Sequence, residues 1–155
     1  MHEVGSDERV KLLREVWLFE RCSTSELAAI ARLASSLAVE PGTVLATEGT
    51  PGHEFVVVVE GTASVLSRGA EVGQIGPGMF FGELALLDGG PRTATVRAVT
   101  PMQALVLDRS EFDELVDQAI PSVARRMLVT LAERFRSEQA RWEQLHARRL
   151  SLPPH

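Results

Sequence analysis

The chain has 155 residues, of which 45% are hydrophobic and 24% are charged, and its formal net charge is −5. This length is typical of one domain, and this composition argues against a disordered chain. No apolar run approaches the about 18 residues of a membrane span, and the acidic first residues contain no apolar segment. The sequence therefore predicts no membrane contact and no secretion signal.

One cysteine and four histidines limit the possible chemistry. Cys22 has no partner for an internal disulfide, which is typical of a reducing compartment, so we expect a cytoplasmic protein. The histidines are scattered, and no pair has the spacing of metal ligands. The sequence predicts neither a metal site nor a catalytic cluster, and we expect no enzyme and no cofactor.

The first part of the chain, 1–36, is predicted to be helical. Apolar residues recur at helical spacing over 7–19, at Val10, Leu13 and Trp17. Ser23 and Glu26 fit a capping box, in which Ser23 is the N-cap of a helix over 27–33.

The middle part, 37–108, contains short β-rich runs separated by Pro-Gly and other glycine-containing turns. Strands are predicted at 37–39, 43–47, 54–60, 62–67, 71–75, 93–98 and 102–108. Many short strands at nearly regular spacing favour a sandwich or a jelly-roll barrel.

The last part, 109–150, is again helical, with a short helix over 111–116 and a long one from Pro121 to about Arg149. The long helix has a 3-4-3-4-3 spacing that suggests pairing with a second copy, at Leu128, Leu131, Phe135, Glu138, Trp142 and Leu145. The alternative is that its first half only packs on the barrel. Residues 120–155 carry seven arginines, but three glutamates are interspersed and no second helix completes a helix-turn-helix. We therefore expect no DNA binding by this chain alone.

The segment 80–95 interrupts the strands without resembling one. Leucine and alanine after Gly82 and Glu83 favour one short helical turn, and amides at a helix start attract anions. Arg92 follows a glycine-rich turn, so its guanidinium can face those amides and bond two phosphate oxygens at once. Glu83 is suited to accept from a sugar hydroxyl, and phosphate with ribose indicates a nucleotide.

The residues Phe-Gly-Glu-Leu-Ala-Leu-Leu from 81 to 87 and Pro-Arg-Thr-Ala-Thr from 91 to 95 resemble the phosphate-binding cassette of cyclic nucleotide-binding domains. This family occurs in cyclic nucleotide-dependent kinases, gated channels and the catabolite activator protein. The resemblance implies an α+β fold, with a double-stranded β-helix (jelly-roll) barrel between N-terminal helices and a long C-terminal helix. It predicts a single domain over 1–155, with the cassette at 81–95.

The resemblance also implies the roles of individual residues. Glu83, with the backbones of Gly82 and Leu84, would hold the ribose 2′-hydroxyl. Arg92 would bind the exocyclic phosphate oxygens. The remaining candidates are the amides of Ala85 and Thr93 at the phosphate, and Val65 and Val72 at the base. The alternative for Glu83 and Arg92 is a structural salt bridge in a site that has lost its ligand.

Thr93 bears on the choice of base. A hydroxyl residue after the arginine goes with cGMP in eukaryotic members, whereas in the catabolite activator protein it goes with cAMP. Thr93 would then bond either a guanine amino group or the phosphate, and we favour cAMP.

The predicted function is a cyclic nucleotide sensor that reports occupancy by moving its C-terminal helix. In the family this helix covers the base, and Phe135 and Trp142 are candidates for that cap. The alternative is a ligand-free structural or dimerisation module on the same fold. The partners are therefore a cyclic nucleotide, a possible second copy and an unknown effector protein.

Overall fold

The computed structural model describes residues 4–150, with side chains up to His146. The helices are α1 (Ser6–Arg14), α2 (Thr24–Leu33), α3 (Ala85–Asp88), α4 (Arg109–Glu114) and α5 (Pro121–Leu150), with a 3₁₀ turn at Trp17–Phe19 and a π-helical turn at Leu115–Ala119. The strands are β1 (Ser35–Val39), β2 (Val44–Ala46), β3 (Glu54–Glu60), β4 (Ala63–Ser67), β5 (Ala70–Ile75), β6 (Phe80–Phe81), β7 (Thr95–Ala98) and β8 (Met102–Asp108). No helix in this part of the chain has the length and hydropathy that a membrane span requires.

The strands form two antiparallel sheets of four, in the orders β1-β8-β3-β6 and β2-β7-β4-β5. The predicted jelly-roll of antiparallel strands between helices is confirmed, although the described strands make two facing sheets and not a closed barrel. The seven predicted strands are present. The sequence missed only β6, whose two residues pair with Val56 and Val57 of β3.

The central strand β3 is buried on both faces, which explains its run of apolar residues. Phe55 and Val57 belong to the core under the helices, where the Phe55 ring meets Phe19 edge-on at 6.0 Å between centroids. Val58 belongs to a second core shared with the facing sheet. Successive side chains of β3 point to opposite faces of the sheet. One face therefore packs on the helices, and the other face packs on the second sheet.

The first predicted helix ends earlier than expected. α1 stops at Arg14, Val16 is extended, and the 3₁₀ turn follows. Val16, Leu18 and Phe19 are all fully buried. In a continuous helix Val16 and Phe19 would share a face and Leu18 would point roughly opposite to Val16, so the break lets one core bury all three.

The capping box at the start of α2 is confirmed and also holds α5. The Glu26 amide donates to Ser23 Oγ at 3.1 Å, and the Ser23 amide donates to Glu26 Oε1 at 2.7 Å. From α5, Ser122 Oγ donates to Glu26 Oε2 at 2.6 Å and Arg126 Nε donates to Oε1 at 2.9 Å. This buried carboxylate therefore bonds two helices that are about 100 residues apart in sequence.

Further contacts hold α5 against the N-terminal region. Arg21 forms an ion pair with Glu133, and the Arg134 guanidinium lies 4.3 Å from the centroid of the Trp17 ring. Val123 and Met127 are buried in the core under the helices. The first half of α5 thus packs on the N-terminal helices and the core, while Leu128 is 64% exposed.

The environment of Glu26 leads to a prediction about stability. Burial has the largest effect and would raise the pKa, but bonds from Ser122 and Ser23 and the charge of Arg126 outweigh it, so the pKa of Glu26 lies below its ordinary value. Glu26→Gln is expected to lower the free energy of unfolding at pH 7 by about 1.5–3 kcal/mol, the range for hydrogen bonds to charged groups.

This contribution depends on pH in a defined direction. A lowered folded pKa means that the stabilisation is complete above the unfolded value of about 4.3 and is lost as the pH falls through the folded value. Urea unfolding from pH 7 to about pH 3 measures it, with the exposed Glu143→Gln as the control. Equal stability of Glu26→Gln and the unaltered protein at pH 7 would contradict the role of this carboxylate.

Candidate functional site

The cassette is attached to the core at both ends. β6 fixes its start to β3, and the helical turn α3 is fixed by Leu86, which is buried in the core under the helices. Gly82 has φ +82°, and a Cβ built there would lie 2.6 Å from the Glu54 carbonyl oxygen. Only glycine fits this backbone conformation and this close approach. The segment between β6 and α3 is therefore placed by packing on both sides.

A cavity of about 350 Å³ lies between the cassette and the sheet that contains β4 and β7. It is lined by seven of the eight predicted site residues: Val65, Gly82, Glu83, Leu84, Ala85, Arg92 and Thr93. The eighth, Val72, does not line it. Val65 pairs with Gly73 and Leu66 with Glu71, so Val72 is the extra residue of a bulge and is 64% exposed.

Arg92 is held through its main chain and its side chain. Its amide donates to the Thr50 carbonyl at 2.8 Å, and its carbonyl accepts from the Gly49 amide at 2.8 Å. Its Nη2 donates to the Glu54 carbonyl at 2.7 Å, and its Cζ lies 5.9 Å from the centroid of the Phe81 ring. Burial lowers the pKa of Arg92, and the nearby Glu54 carboxylate partly opposes that shift. An arginine remains protonated under such a shift, so the site carries a partly desolvated cation.

Glu83 lines the same cavity and is half-buried. Within the described residues it forms no ion pair with Arg92; the ion pairs found there join other side chains, such as Arg126 and Glu26. The geometry therefore does not support the alternative of a Glu83–Arg92 salt bridge. The Glu83 carboxylate and the Arg92 guanidinium line one cavity without forming an ion pair with each other.

The expectation that α3 starts with free amides is only partly met. The Ala85 amide donates to the Gly82 carbonyl at 3.0 Å, and the Leu86 amide donates to the Glu83 carbonyl at 3.2 Å. Each of these bonds joins residue i to residue i−3, as in a 3₁₀-helix, and not to residue i−4 as in an α-helix. The cassette amides outside the strands that bond no other described residue are instead those of Gly82, Glu83, Leu84, Thr93 and Ala94.

Sequence reasoning missed four contributors to the site. Phe81 and Val96 line the cavity, and Gly52 lies against the Arg92 guanidinium. In the sequence, Gly52 is only the second residue of a predicted Pro-Gly turn. The Glu54 carbonyl also escaped notice, because a main-chain acceptor has no signature in a sequence.

The C-terminal helix lies away from the cavity. Phe135 is 66% exposed and Trp142 is 58% exposed, and neither residue lines it. The structure thus does not place the two predicted caps at the site. The described residues also contain no group of three or more His, Cys, Asp or Glu that could hold a metal ion.

A protein-family model and a related protein both match this chain. A family model of the cyclic nucleotide-binding domain matches residues 36–119. The chain is 36% identical over 124 residues to a cyclic nucleotide-gated potassium channel from Mesorhizobium japonicum, and the match covers 80% of this chain but 34% of the channel. The chain thus spans about a third of that relative.

Three solved structures are also similar to this chain. The N-terminal domain of a transcriptional regulator from Streptomyces coelicolor is 30% identical, with a TM-score of 0.76, over 83% of this chain and 92% of that domain. A cyclic nucleotide-binding-like protein from Brucella abortus is 26% identical with a TM-score of 0.67, over 72% of this chain and 100% of that protein. A cAMP-bound PfPKA-R fragment is 26% identical with a TM-score of 0.61, over 83% of this chain and 46% of that fragment. Because the family model covers more than half of the sequence, the chain belongs to the cyclic nucleotide-binding domain family.

Proposed function

We propose that this chain binds a cyclic nucleotide in the cassette cavity and acts as a regulatory module. The observation that carries the proposal is the Arg92 guanidinium, which lines the cavity with one donor engaged by the Glu54 carbonyl. A guanidinium has five N–H donors, so several remain for two phosphate oxygens. The phosphodiester of a cyclic nucleotide carries one negative charge, which matches the single cation.

The other lining residues suit the rest of the ligand. The Glu83 carboxylate accepts from the ribose 2′-hydroxyl, and its sequence neighbours Gly82 and Leu84 also line the cavity. The Thr93 amide has no partner among the described residues, so it supplements Arg92 at the phosphate. Val65 contacts the base. Val72 has no part in the proposal, because it does not line the cavity.

The preferred ligand is cAMP, with the Thr93 hydroxyl on the phosphate and not on a guanine amino group. Two observations support this preference. Thr93 is exposed beside Arg92, and one similar structure, the PfPKA-R fragment, contains cAMP.

Removing the guanidinium tests the phosphate site. Loss of a partly desolvated charge pair costs about 2–5 kcal/mol, so Arg92→Ala is expected to weaken cAMP binding by about 30- to 4000-fold. Arg97→Ala is the matched control, because Arg97 is exposed on β7 and does not line the cavity. Calorimetric titration of all three proteins with cAMP and cGMP measures the affinities. An Arg92→Ala protein that binds cAMP within threefold of the unaltered protein would place the phosphate elsewhere.

The signal leaves the cavity through α5. A Cβ built at Gly89, the residue after α3, would lie 2.4 Å from Arg109 Nη1, so the end of the cassette packs on the first residue of α4. α4 leads through the π-helical turn and the non-helical Ile120 into α5. A ligand moves α5 only if it binds one arrangement of this path better than another.

Amide hydrogen exchange tests this path. Saturating cAMP is expected to slow exchange in residues 128–145 as well as in 81–95, because α5 gains contacts when the cassette is occupied. The Arg92→Ala protein under the same nucleotide concentration is the control and should show neither change. Unchanged exchange beyond Pro121 in the saturated, unaltered protein would mean that α5 does not carry the signal.

A second copy of the chain covers the outer face of α5. Four apolar residues of the predicted row are more than half exposed: Leu128, Phe135, Trp142 and Leu145. Leu131, between the first two, is partly buried against the core under the helices. Glu138 lies in the row, and Arg141 forms an exposed ion pair with it one turn later, at 3.6 Å. A self-complementary row of this kind suits two helices related by a twofold axis.

Polar substitution in the row tests the dimer. Phe135→Gln with Trp142→Gln is expected to convert a dimer into a monomer in analytical ultracentrifugation, and the fold should survive because both side chains are exposed. The exposed Gln144→Ala is the control on the same helix. A monomeric unaltered protein, or a dimer that survives both changes, would refute pairing through α5.

A further inference from the structure

The Arg92 guanidinium lies in a slot between two glycines. A Cβ built at Gly82 would lie 2.4 Å from Arg92 Nη1. On the other side, a Cβ built at Gly52 would lie 3.0 Å from Nε and 3.1 Å from Cζ of the same arginine. Side chains at either position would occupy the space that the guanidinium fills.

The two glycines are needed for different reasons. Gly82 has a positive φ, so its backbone alone favours glycine. Gly52 is not among the residues with positive φ, so a side chain is compatible with its backbone. Gly52 is buried, and the three atoms nearest to a Cβ there would be Ala85 Cβ and Arg92 Nε, both at 3.0 Å, and Arg92 Cζ at 3.1 Å. The absence of a side chain at Gly52 is therefore explained by its neighbours and not by its conformation.

The loop that contains Gly52 also fixes the rest of Arg92. The Gly49 amide and the Thr50 carbonyl bond the main chain of Arg92, and the Gly52 amide donates to the Gly90 carbonyl at 3.0 Å. The Glu54 carbonyl, two residues further on, accepts from Nη2. The short segment 49–54 thus bonds the main chain of Arg92, contacts the guanidinium through Gly52, and accepts from one guanidinium N–H.

We propose that Gly52 is a positioning residue of the phosphate site, which sets nucleotide affinity by leaving the Arg92 guanidinium room to face the cavity. This inference rests on the proposed function. Gly52 does not line the cavity, so it acts through the residues that it contacts, of which Arg92 carries the charge that binds the phosphate. Charge-assisted bonds have a narrow distance range, and a displacement of about 0.5 Å is enough to weaken a site that depends on them.

Gly52→Ala is the direct test. The Cβ pushes the guanidinium by a few tenths of an ångström, and the expected result is about tenfold weaker binding of cAMP. The control is Gly73→Ala, because Gly73 also lacks a positive φ and a Cβ there meets nothing within 4 Å. Calorimetric titration gives both affinities. Binding by Gly52→Ala within twofold of the unaltered protein would overturn the inference.

Two analogues separate positioning from general damage to the site. The penalty for 2′-deoxy-cAMP should be unchanged in Gly52→Ala, because none of the three atoms nearest to the added Cβ belongs to Glu83, the residue assigned to the 2′-hydroxyl. The affinity ratio of the two phosphorothioate diastereomers of cAMP should fall towards one, because a displaced guanidinium distinguishes the two exocyclic positions less well. Equal loss for every analogue with an unchanged diastereomer ratio would show a merely structural role.

A stability cycle provides a readout that needs no ligand. Gly52→Ala should cost less free energy of unfolding in the Arg92→Ala background, where Nε and Cζ are absent, than in the unaltered protein. Equal costs in the two backgrounds would overturn the inference even if Gly52→Ala folds poorly. If the unaltered protein binds neither cAMP nor cGMP, the proposed function fails. The cycle still measures whether a side chain added at Gly52 and the Arg92 guanidinium compete for the same space.

Discussion

The hydrogen bond from Arg92 to the Glu54 carbonyl is the contact on which the site depends. It fixes one edge of the guanidinium at 2.7 Å, between glycines from two different segments. Protein groups alone thus determine where the positive charge lies. A donor that is already placed loses little freedom when it binds an anion, and such preorganisation strengthens binding without adding contacts.

The jelly-roll is what brings these groups together. The carbonyl comes from the first residue of β3, and Gly82 follows β6, which pairs with β3. The loop between β2 and β3 lies against the segment around Pro91, through a bridge between Pro51 and Pro91. Residues 40 positions apart in sequence therefore surround one guanidinium, and a disturbance of either sheet would displace it.

The fold also separates the site from its proposed output. The cavity borders the second sheet, whereas α5 packs on the N-terminal helices through the buried carboxylate of Glu26. The connection runs from Gly89 to Arg109 and then through the π-helical turn. Allosteric coupling is typically about 1–3 kcal/mol, comparable to the Glu26 contacts that a moving helix would have to exchange.

Much of this arrangement could be predicted from the sequence, because the strong signals were local. The turns predicted seven strands, the capping box predicted the start of α2, and Glu83 and Arg92, which the resemblance to the cassette singled out, line one cavity. The errors arose where tertiary packing decides the outcome. The bulge removes Val72 from the cavity, the burial of Leu18 together with Val16 breaks the first helix, and the closing bond of the cassette turn uses the Ala85 amide. Gly52 was missed because its effect depends on a neighbour 40 residues away.

The central claim is that the Arg92 guanidinium binds the phosphate of a cyclic nucleotide. The nuclear magnetic resonance signal of its Nε–Hε group, assigned by its loss in Arg92→Ala, reports on that atom directly. Titration with cAMP is predicted to shift this signal, while adenosine, which has the same base and ribose but no phosphate, should leave it in place. An Nε–Hε signal that stays unchanged at saturating cAMP, or that shifts equally with adenosine, would contradict the account.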